Sequence, residues 1–198
     1  GDTTVEIEPP LLQPPVDLQQ QWRARCQTAG AATWVALLPG AAFGPAKRWP
    51  AERFAEVGRH LQRELSTGIV VLGSKAEYEL CQQVADQIGG QVINLAGQTS
   101  LTDLAAILAV CRLTVTNDSG GMHLAAAVHV PVVAIFGITH PDQTGPIGPR
   151  VCVLQKSEFR ARDFKGQIHQ AAASLAAITP EQVVEAALRL VVAAEGKP

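Results

Sequence analysis

The 198-residue sequence lacks an excess of charge of either sign, because 16 Lys and Arg residues stand against 18 Asp and Glu residues. It also lacks any block of basic residues. Proteins that bind nucleic acids use clustered Lys and Arg to release counterions from phosphates, so this composition argues against nucleic acid as a main partner. Hydrophobic residues form 47% of the chain, which excludes global disorder and predicts one sizeable folded domain.

Long apolar runs and clustered cysteines are missing as well. The longest apolar stretch, 124–137, contains a histidine and a proline and is shorter than the roughly 20 residues that span a bilayer. The first residues have neither the basic start nor the apolar run of a signal peptide. The four cysteines are far apart and include no CxxC pair, which predicts neither a zinc site nor disulfides. We therefore expect a cytoplasmic protein.

Several motifs of nucleotide enzymes and hydrolases are also absent. The missing GxGxxG disfavours a nicotinamide dehydrogenase, and the missing GxxxxGK[ST] disfavours a P-loop ATPase. The sequence contains neither a GxSxG elbow nor an HExxH pair. It also has no Asp-x-Asp motif that could hold a divalent cation on a nucleotide sugar. We therefore expect no cofactor and no metal, and any diphosphate must be neutralised by cationic side chains and helix amides.

Short apolar runs rich in Val and Ile alternate with amphipathic segments from Thr33 onward. Such runs are typical of strands buried on both faces, and the segments between them are typical of helices that pack on a sheet. The predicted strands are 34–38, 69–72, 92–95, 113–116, 132–136 and 151–154, and the predicted helices are 16–29, 51–65, 75–88, 102–111, 121–128 and 180–194. This order predicts an α/β fold, a Rossmann-like parallel sheet with helices on both faces.

The proline-rich segment 1–16 is predicted to be an extended linker, because proline fixes φ and removes a hydrogen-bond donor. Residues 17–198 are predicted to form the folded domain.

The loop 39–50, PGAAFGPAKRWP, follows the first predicted strand. Ligands of open α/β sheets bind beyond the carboxyl ends of the strands, so this loop is a candidate site. Gly40 allows a ligand to approach the backbone closely, and the adjacent cations Lys47 and Arg48 offer charge to an anion. The many turn residues predict an exposed loop. The alternative is that both cations are merely solvated.

A second candidate segment, 116–123, follows the fourth predicted strand and opens the next helix. Ser119 is a good N-cap, and the first-turn amides together with the helix dipole favour an anion such as phosphate. Gly120 and Gly121 have no side chain that would hold a phosphate away from these amides. The alternative is a well-capped turn between strand and helix that binds no ligand.

Three further polar residues could contact a nucleotide sugar. His123, in the same helical turn, could donate to a phosphate oxygen or a sugar hydroxyl. Asp118 would repel a diphosphate and should instead face sugar hydroxyls. Glu77, which follows the second predicted strand, could accept from both hydroxyls of a ribose, as carboxylates do in dinucleotide sites. A lone histidine is usually structural, however, and a carboxylate at a helix start is already favoured by the dipole.

Four segments together resemble a known family. PGAAFGPAKRWP at 39–50, VVLGSKAE at 70–77, INLAGQTSLTDLAAIL at 93–108 and VTNDSGGMHLAAA at 115–127 are similar in order and spacing to the lipopolysaccharide heptosyltransferases, family 9 of the glycosyltransferases. The first segment looks most like the heptosyltransferase II branch. GPAKRWP together with NDSGGMH is the most specific part of the resemblance.

The resemblance implies a GT-B fold of two Rossmann-like domains, of which this sequence matches the C-terminal, donor-binding half. It implies transfer of heptose from ADP-L-glycero-D-manno-heptose to the lipopolysaccharide inner core, with inversion at the anomeric carbon. The acceptor site and the catalytic base belong to the family's N-terminal domain, so we expect the 198 residues alone to be inactive. We also expect at most peripheral contact with the inner face of the inner membrane.

The resemblance further implies the roles of individual residues. Lys47 stabilises the leaving diphosphate, Asp118 contacts the heptose and Glu77 contacts the ribose. The other donor-binding positions are Gly40, Ser119, Gly120, Gly121 and His123.

Two alternatives stay open. One is another GT-B enzyme of nucleotide sugars, either a transferase that uses a UDP donor or an epimerase. The other is a nucleotide-binding module without chemistry of its own. Measuring which nucleotide base the chain prefers tests the first alternative, and measuring turnover tests the second.

Overall fold

A computed structural model describes residues 8–41, 44–157 and 168–196 of the chain. The six apolar runs form six strands, and their bounds differ from the predicted ones by no more than one residue at either end. The strands are β1 (Trp34–Leu38), β2 (Gly68–Val71), β3 (Val92–Asn94), β4 (Leu113–Asn117), β5 (Val132–Phe136) and β6 (Val151–Gln155).

All neighbouring strands pair in parallel, in the order β3-β2-β1-β4-β5-β6. The chain winds outward from β1 to β3, returns to place β4 beside β1, and then winds outward in the opposite direction. The predicted Rossmann-like sheet is therefore confirmed. The loops after β1 and β4 lie on either side of the point where the winding reverses, which is where ligands bind in such sheets.

The helices cover both faces of the sheet, as predicted. In chain order they are α1 (Val16–Thr28), α2 (Ala51–Leu65), α3 (Tyr78–Ile88), α4 (Leu101–Val110), α5 (Gly120–Ala127), α6 (Pro141–Thr144), α7 (Ile168–Ala176) and α8 (Pro180–Glu195). Helices α2, α3 and α8 pack on one face, and α1, α4 and α5 pack on the other. Each face has its own buried apolar cluster, because alternate residues of the strands point to opposite sides.

Two helices were not predicted, and one begins differently. Helix α6 has four residues, too few to show a period, and α7 is built largely from alanine, whose apolar signal is weak. The helix predicted at 75–88 starts as a 3₁₀ turn, Lys75–Glu77, before α3.

The described part of the proline-rich start lies against the domain. Residues 8–15 have no regular secondary structure, and Pro14 is buried. The Leu12 backbone N–H donates to the Ala127 carbonyl at the end of α5, at 2.7 Å. Residues 1–7 of the predicted linker lie outside the described residues, so an interdomain role for this segment stays a prediction.

None of the helices in the described ranges is long and apolar enough to cross a membrane.

Candidate functional site

A cleft of about 340 Å³ opens at the carboxyl end of the sheet, between the loops after β1, β2 and β4 and the start of α4. Five residues predicted from the sequence line it: Gly40, Glu77, Ser119, Gly120 and Gly121. Its far wall comes from the start of α4, where Leu101 is 73% exposed. The cleft therefore occupies the place at which an open α/β sheet binds ligands.

The amino end of α5 forms one side of this cleft. Ser119 takes the N-cap position in an extended conformation, but its side chain does not cap the helix. The first-turn amides of Gly120 and Gly121 have no acceptor among the described residues. A Cβ on Gly121 would lie 2.2 Å from Leu38 Cδ2, so any larger residue here would force the Leu38 side chain to move. Two amides and a hydroxyl thus remain available to an anion.

Lys47 and Asp118 lie beside the cleft and pair with each other. Lys47 Nζ is 2.5 Å from Asp118 Oδ2, and the two side chains are only 13% and 7% exposed. The Thr139 hydroxyl donates to the same oxygen at 2.7 Å. The predicted exposed loop around Lys47 is therefore wrong, because tertiary contacts bury a segment whose composition is typical of a surface turn.

Trp49 is the residue that fixes the Lys47 loop. Its indole is buried and packs edge-on against Phe54, with ring centroids 5.3 Å apart. Its Nε1 donates to the Ile178 carbonyl at 3.1 Å, which ties the loop to the residues before α8. The backbone N–H of Trp49 donates to Asn117 Oδ1 at 3.0 Å.

Asn117 is a site-building residue to which the sequence analysis gave no role. It ends β4 with no exposed surface, accepts from Trp49 and donates from Nδ2 to the Pro39 carbonyl at 2.7 Å. One amide side chain thereby joins the loop after β1 to the strand that precedes Asp118. The sequence does contain one signal for this role, namely a polar amide directly after an apolar strand. Buried polar groups need hydrogen-bond partners, so a residue of this kind is expected to bind neighbouring segments.

Glu77 borders the cleft, and its carboxylate already has protein partners. Its Oε2 accepts from the Ser74 backbone N–H and the Ser74 hydroxyl, both at 2.8 Å. The Arg48 guanidinium is 3.9 Å from Oε1 and donates to the Ala41 carbonyl at 3.3 Å. A Cβ on Gly40 would lie 2.1 Å from Glu77 Oε1. Gly40 therefore makes room for a carboxylate of this chain, whereas the sequence analysis assigned that space to a ligand.

The family model for glycosyltransferase family 9 (heptosyltransferase) matches residues 3–172. The chain belongs to this family. It is 34% identical over 193 residues to lipooligosaccharide heptosyltransferase 2 of Haemophilus influenzae, and the match covers 89% of this chain and 55% of that protein. It is 32% identical over 195 residues to lipopolysaccharide heptosyltransferase 2 of Escherichia coli, covering 92% and 55%.

A solved heptosyltransferase structure has the same fold. The E. coli ADP-heptose lipopolysaccharide heptosyltransferase II superposes with a TM-score of 0.80 at 31% identity, over 94% of this chain and 54% of that one. This family 9 chain therefore spans about half the length of the curated relatives it matches. The family resemblance and the α/β fold expected from the sequence are both confirmed.

His123 has no hydrogen-bond or ion-pair contact with the other predicted donor-binding residues among those that the structure describes. It lies on α5 with an exposed side chain and, like Lys47 and Asp118, is not among the residues that line the cleft, so its role in donor binding stays a prediction.

The described residues of this family 9 chain contain no group of three or more His, Cys, Asp or Glu that could hold a metal ion. Cys81 lies under the cleft, with Sγ 3.7 Å from the Leu72 carbonyl. Burial raises the pKa of the Cys81 thiol to about 12, and the Glu77 carboxylate adds to the effect. Since only a thiolate is an effective nucleophile, Cys81 is a packing residue.

Proposed function

We propose that this chain binds the nucleotide-sugar donor of an inverting heptosyltransferase, which moves heptose from ADP-L-glycero-D-manno-heptose to the lipopolysaccharide inner core. Family membership supports the class of reaction. One observation carries the donor-binding role: the cleft opens at the winding reversal, beside α5 amides that have no acceptor among the described residues. A helix start of this kind is a general site for phosphate groups.

The diphosphate is expected to lie over the start of α5. Ser119, Gly120 and Gly121 line the cleft there, and we expect the hydroxyl and the two amides to be its anion donors. Lys47 pairs with Asp118, which directly precedes this helix start, and we expect its charge to act on the diphosphate from there. As the bond between sugar and phosphate breaks, negative charge grows on the departing ADP, and donors that are already in place lower the barrier.

Asp118 is expected to contact the sugar through one oxygen only. Its Oδ2 accepts from Lys47 and Thr139, whereas Oδ1 has no donor among the described residues. A carboxylate oxygen with a free lone pair can accept from a hydroxyl group. The heptose would then lie near the Lys47–Asp118 pair, which stands at the junction of sugar and diphosphate.

The nucleoside is expected to fill the cleft between Glu77 and α4. Glu77 Oε1 borders the cleft next to Gly40 and could accept from a ribose hydroxyl. Its contacts with Ser74 hold the carboxylate in place without using that oxygen. The cleft shows no feature that selects the base, so a UDP-sugar transferase or an epimerase remains the alternative that base preference tests.

The acceptor side of the reaction comes from family resemblance alone. We propose that an acceptor domain binds the lipopolysaccharide core and supplies the catalytic base. The reaction would take place at the cytoplasmic face of the inner membrane. Contact of this domain with the membrane would be peripheral at most.

Calorimetric titration of the 198-residue chain with ADP, UDP and their sugar conjugates tests the proposal. We expect ADP to bind more tightly than UDP and to bind equally well in the presence of a metal chelator. A preference for UDP would favour the alternative enzyme class. Absence of binding by every nucleotide would overturn the donor-binding role.

A second test replaces Lys47 with glutamine. Its control is Lys156→Met, which also removes a positive charge, but from an exposed side chain after β6. It should leave ADP affinity unchanged, whereas Lys47→Gln should weaken it.

A further inference from the structure

A continuous row of polar contacts crosses the carboxyl ends of four neighbouring strands. Lys47 follows β1, Asp118 follows β4, Thr139 follows β5, and Gln155 ends β6. Lys47 and Thr139 both donate to Asp118 Oδ2, at 2.5 and 2.7 Å. Gln155 Nε2 donates to the Thr139 carbonyl at 2.8 Å and to the Gly137 carbonyl at 2.6 Å.

Thr139 and Gln155 have no role in the proposed donor contacts, and Thr139 is the one of the two that touches Asp118. A carboxylate only accepts hydrogen bonds, so the hydroxyl must donate to Asp118. Thr139 and Asp118 are each 6% exposed, and water therefore has little access to replace the hydroxyl if it is removed. Hydrogen bonds to a charged group are stronger than those between neutral groups.

Lys47 and Thr139 both donate to Asp118 Oδ2, so the negative charge of that oxygen is divided between two hydrogen bonds. If the hydroxyl is lost, Lys47 becomes the sole donor to that oxygen among the described residues. The positive charge of Lys47 interacts with both Asp118 and a diphosphate beside it. If its attraction to Asp118 becomes stronger, its interaction with the diphosphate becomes weaker. The Thr139 hydroxyl therefore weakens the hold of Asp118 on Lys47.

We infer that Thr139, fixed by Gln155, is a positioning residue that holds Asp118 so that Lys47 can serve the diphosphate of a nucleotide donor. This inference rests on the proposed function, because it assumes that Lys47 interacts with the diphosphate. Thr139 acts through Asp118 and Lys47 and does not itself contact the nucleotide.

The test is a double-mutant cycle on ADP affinity, measured by calorimetry on the 198-residue chain. Thr139→Val keeps the shape and removes the hydroxyl, and it should weaken ADP binding about tenfold, within the range of energies for coupled neighbours. Thr139→Ser keeps the hydroxyl and should bind like wild type. Lys47→Gln keeps a donor for Asp118 but removes the charge.

The decisive variant combines Thr139→Val with Lys47→Gln. If Thr139 acts through Lys47, the double variant binds ADP as weakly as Lys47→Gln alone. A merely structural threonine predicts that the two losses multiply. Gln155→Met provides a second route, since it keeps the hydroxyl but frees the Thr139 backbone, and it should cause a smaller loss that also disappears in the Lys47→Gln background.

Thermal unfolding of every variant shows whether it is folded at the titration temperature. If Thr139→Val is not folded, Gln155→Met and Thr139→Ser decide the question. Wild-type affinity in folded Thr139→Val, or multiplying losses, overturns the positioning role while leaving the proposed function intact. Failure of wild type to bind ADP overturns both.

Discussion

The amino end of α5 has two sides whose polar groups are used differently. On the cleft side, the Ser119 hydroxyl and the amides of Gly120 and Gly121 have no partner among the described residues. On the other side, the charges of Lys47 and Asp118 are paired and nearly buried. The difference separates groups kept available for a ligand from groups held in position by the fold. Substitution of Ser119 or Gly120 on the first side should therefore affect binding alone, whereas substitutions on the second side should affect stability as well.

The largest effect is expected on the paired side. Lys47→Ala leaves the Asp118 carboxylate buried without its counter-charge, and breaking a buried pair in this way costs about 3–5 kcal/mol of unfolding free energy. Urea unfolding at pH 7 measures it. Adding Asp118→Asn to Lys47→Ala removes the uncompensated charge and should restore part of the loss. Equal midpoints for wild type and Lys47→Ala would show that the pair does not stabilise the fold.

Catalysis should show the next largest effect. In a transfer assay with an active heptosyltransferase that contains this domain, Lys47→Gln should lower turnover by about 10²–10³-fold, because one electrostatic donor at a developing charge is lost. ADP-heptose affinity should fall less, since the charge develops late in the reaction. Lys156→Met serves as the control. Unchanged turnover in Lys47→Gln would remove Lys47 from the mechanism.

The role of Asp118 can be tested with two ligands, ADP and ADP-heptose, of which only the second carries the sugar. Asp118→Asn should weaken ADP-heptose binding by about 1.5–3 kcal/mol, as expected when a charged hydrogen bond is lost. ADP binding should be unchanged or slightly tighter, because a carboxylate near a diphosphate is repulsive. Calorimetry with both ligands measures the difference. Equal losses for ADP and ADP-heptose would contradict a sugar contact.

Two adjacent glycines sharpen the comparison further. Gly121→Ala places a methyl group against Leu38 and should cost about 1–3 kcal/mol, as overpacking does. A Cβ on Gly120 meets nothing within 4 Å, so Gly120→Ala should change stability by less than about 0.5 kcal/mol. Gly120→Ala should nevertheless weaken ADP binding, because its methyl group lies at the cleft. Thermal melts and titrations of both variants test this, and a destabilised Gly120→Ala would argue against it.

The smallest effect is expected at the far wall of the cleft, where Ser100 caps the start of α4. Hydrogen bonds from the Ser100 side chain and backbone hold the pKa of Asp103 below its ordinary value of 3.8. A lowered pKa means that the carboxylate stabilises the fold above pH 3.8 and that this stabilisation disappears as the pH falls through the folded-state pKa. Asp103→Asn should therefore lower the urea midpoint at pH 7 slightly, and the difference should vanish in acid. A difference that persists in acid would show a packing effect.

Most of the fold could be predicted from the sequence because its signals are local. Each strand contains a short apolar run, and the helices between them show an apolar period, so the bounds of β1 and α2 match the predictions to the residue. Helix α6 has no such period because it is one turn long. The parallel pairing of the strands required the general rule for alternating α/β chains in addition to the pattern, and the order of the strands in the sheet was not predicted.

The candidate site was less predictable, since its contacts depend on residues that are distant in sequence. The two loops were located by their position after strands, but Lys47 and Asp118 are 71 residues apart, and nothing local shows that they pair. Gly40 shows a further limit. A sequence reveals that a glycine permits close approach, but it does not reveal whether a ligand or Glu77 makes that approach.

The burial of Trp49 has a practical consequence. This indole lies two residues after Lys47 and is enclosed by Phe54 and the residues before α8. The other two tryptophans, Trp22 and Trp34, belong to the apolar cluster on the opposite face of the sheet. Replacing those two with phenylalanine would leave Trp49, next to the charged pair, as the single tryptophan of the chain. Its emission would then report, without an added dye, any rearrangement of that loop when a nucleotide binds.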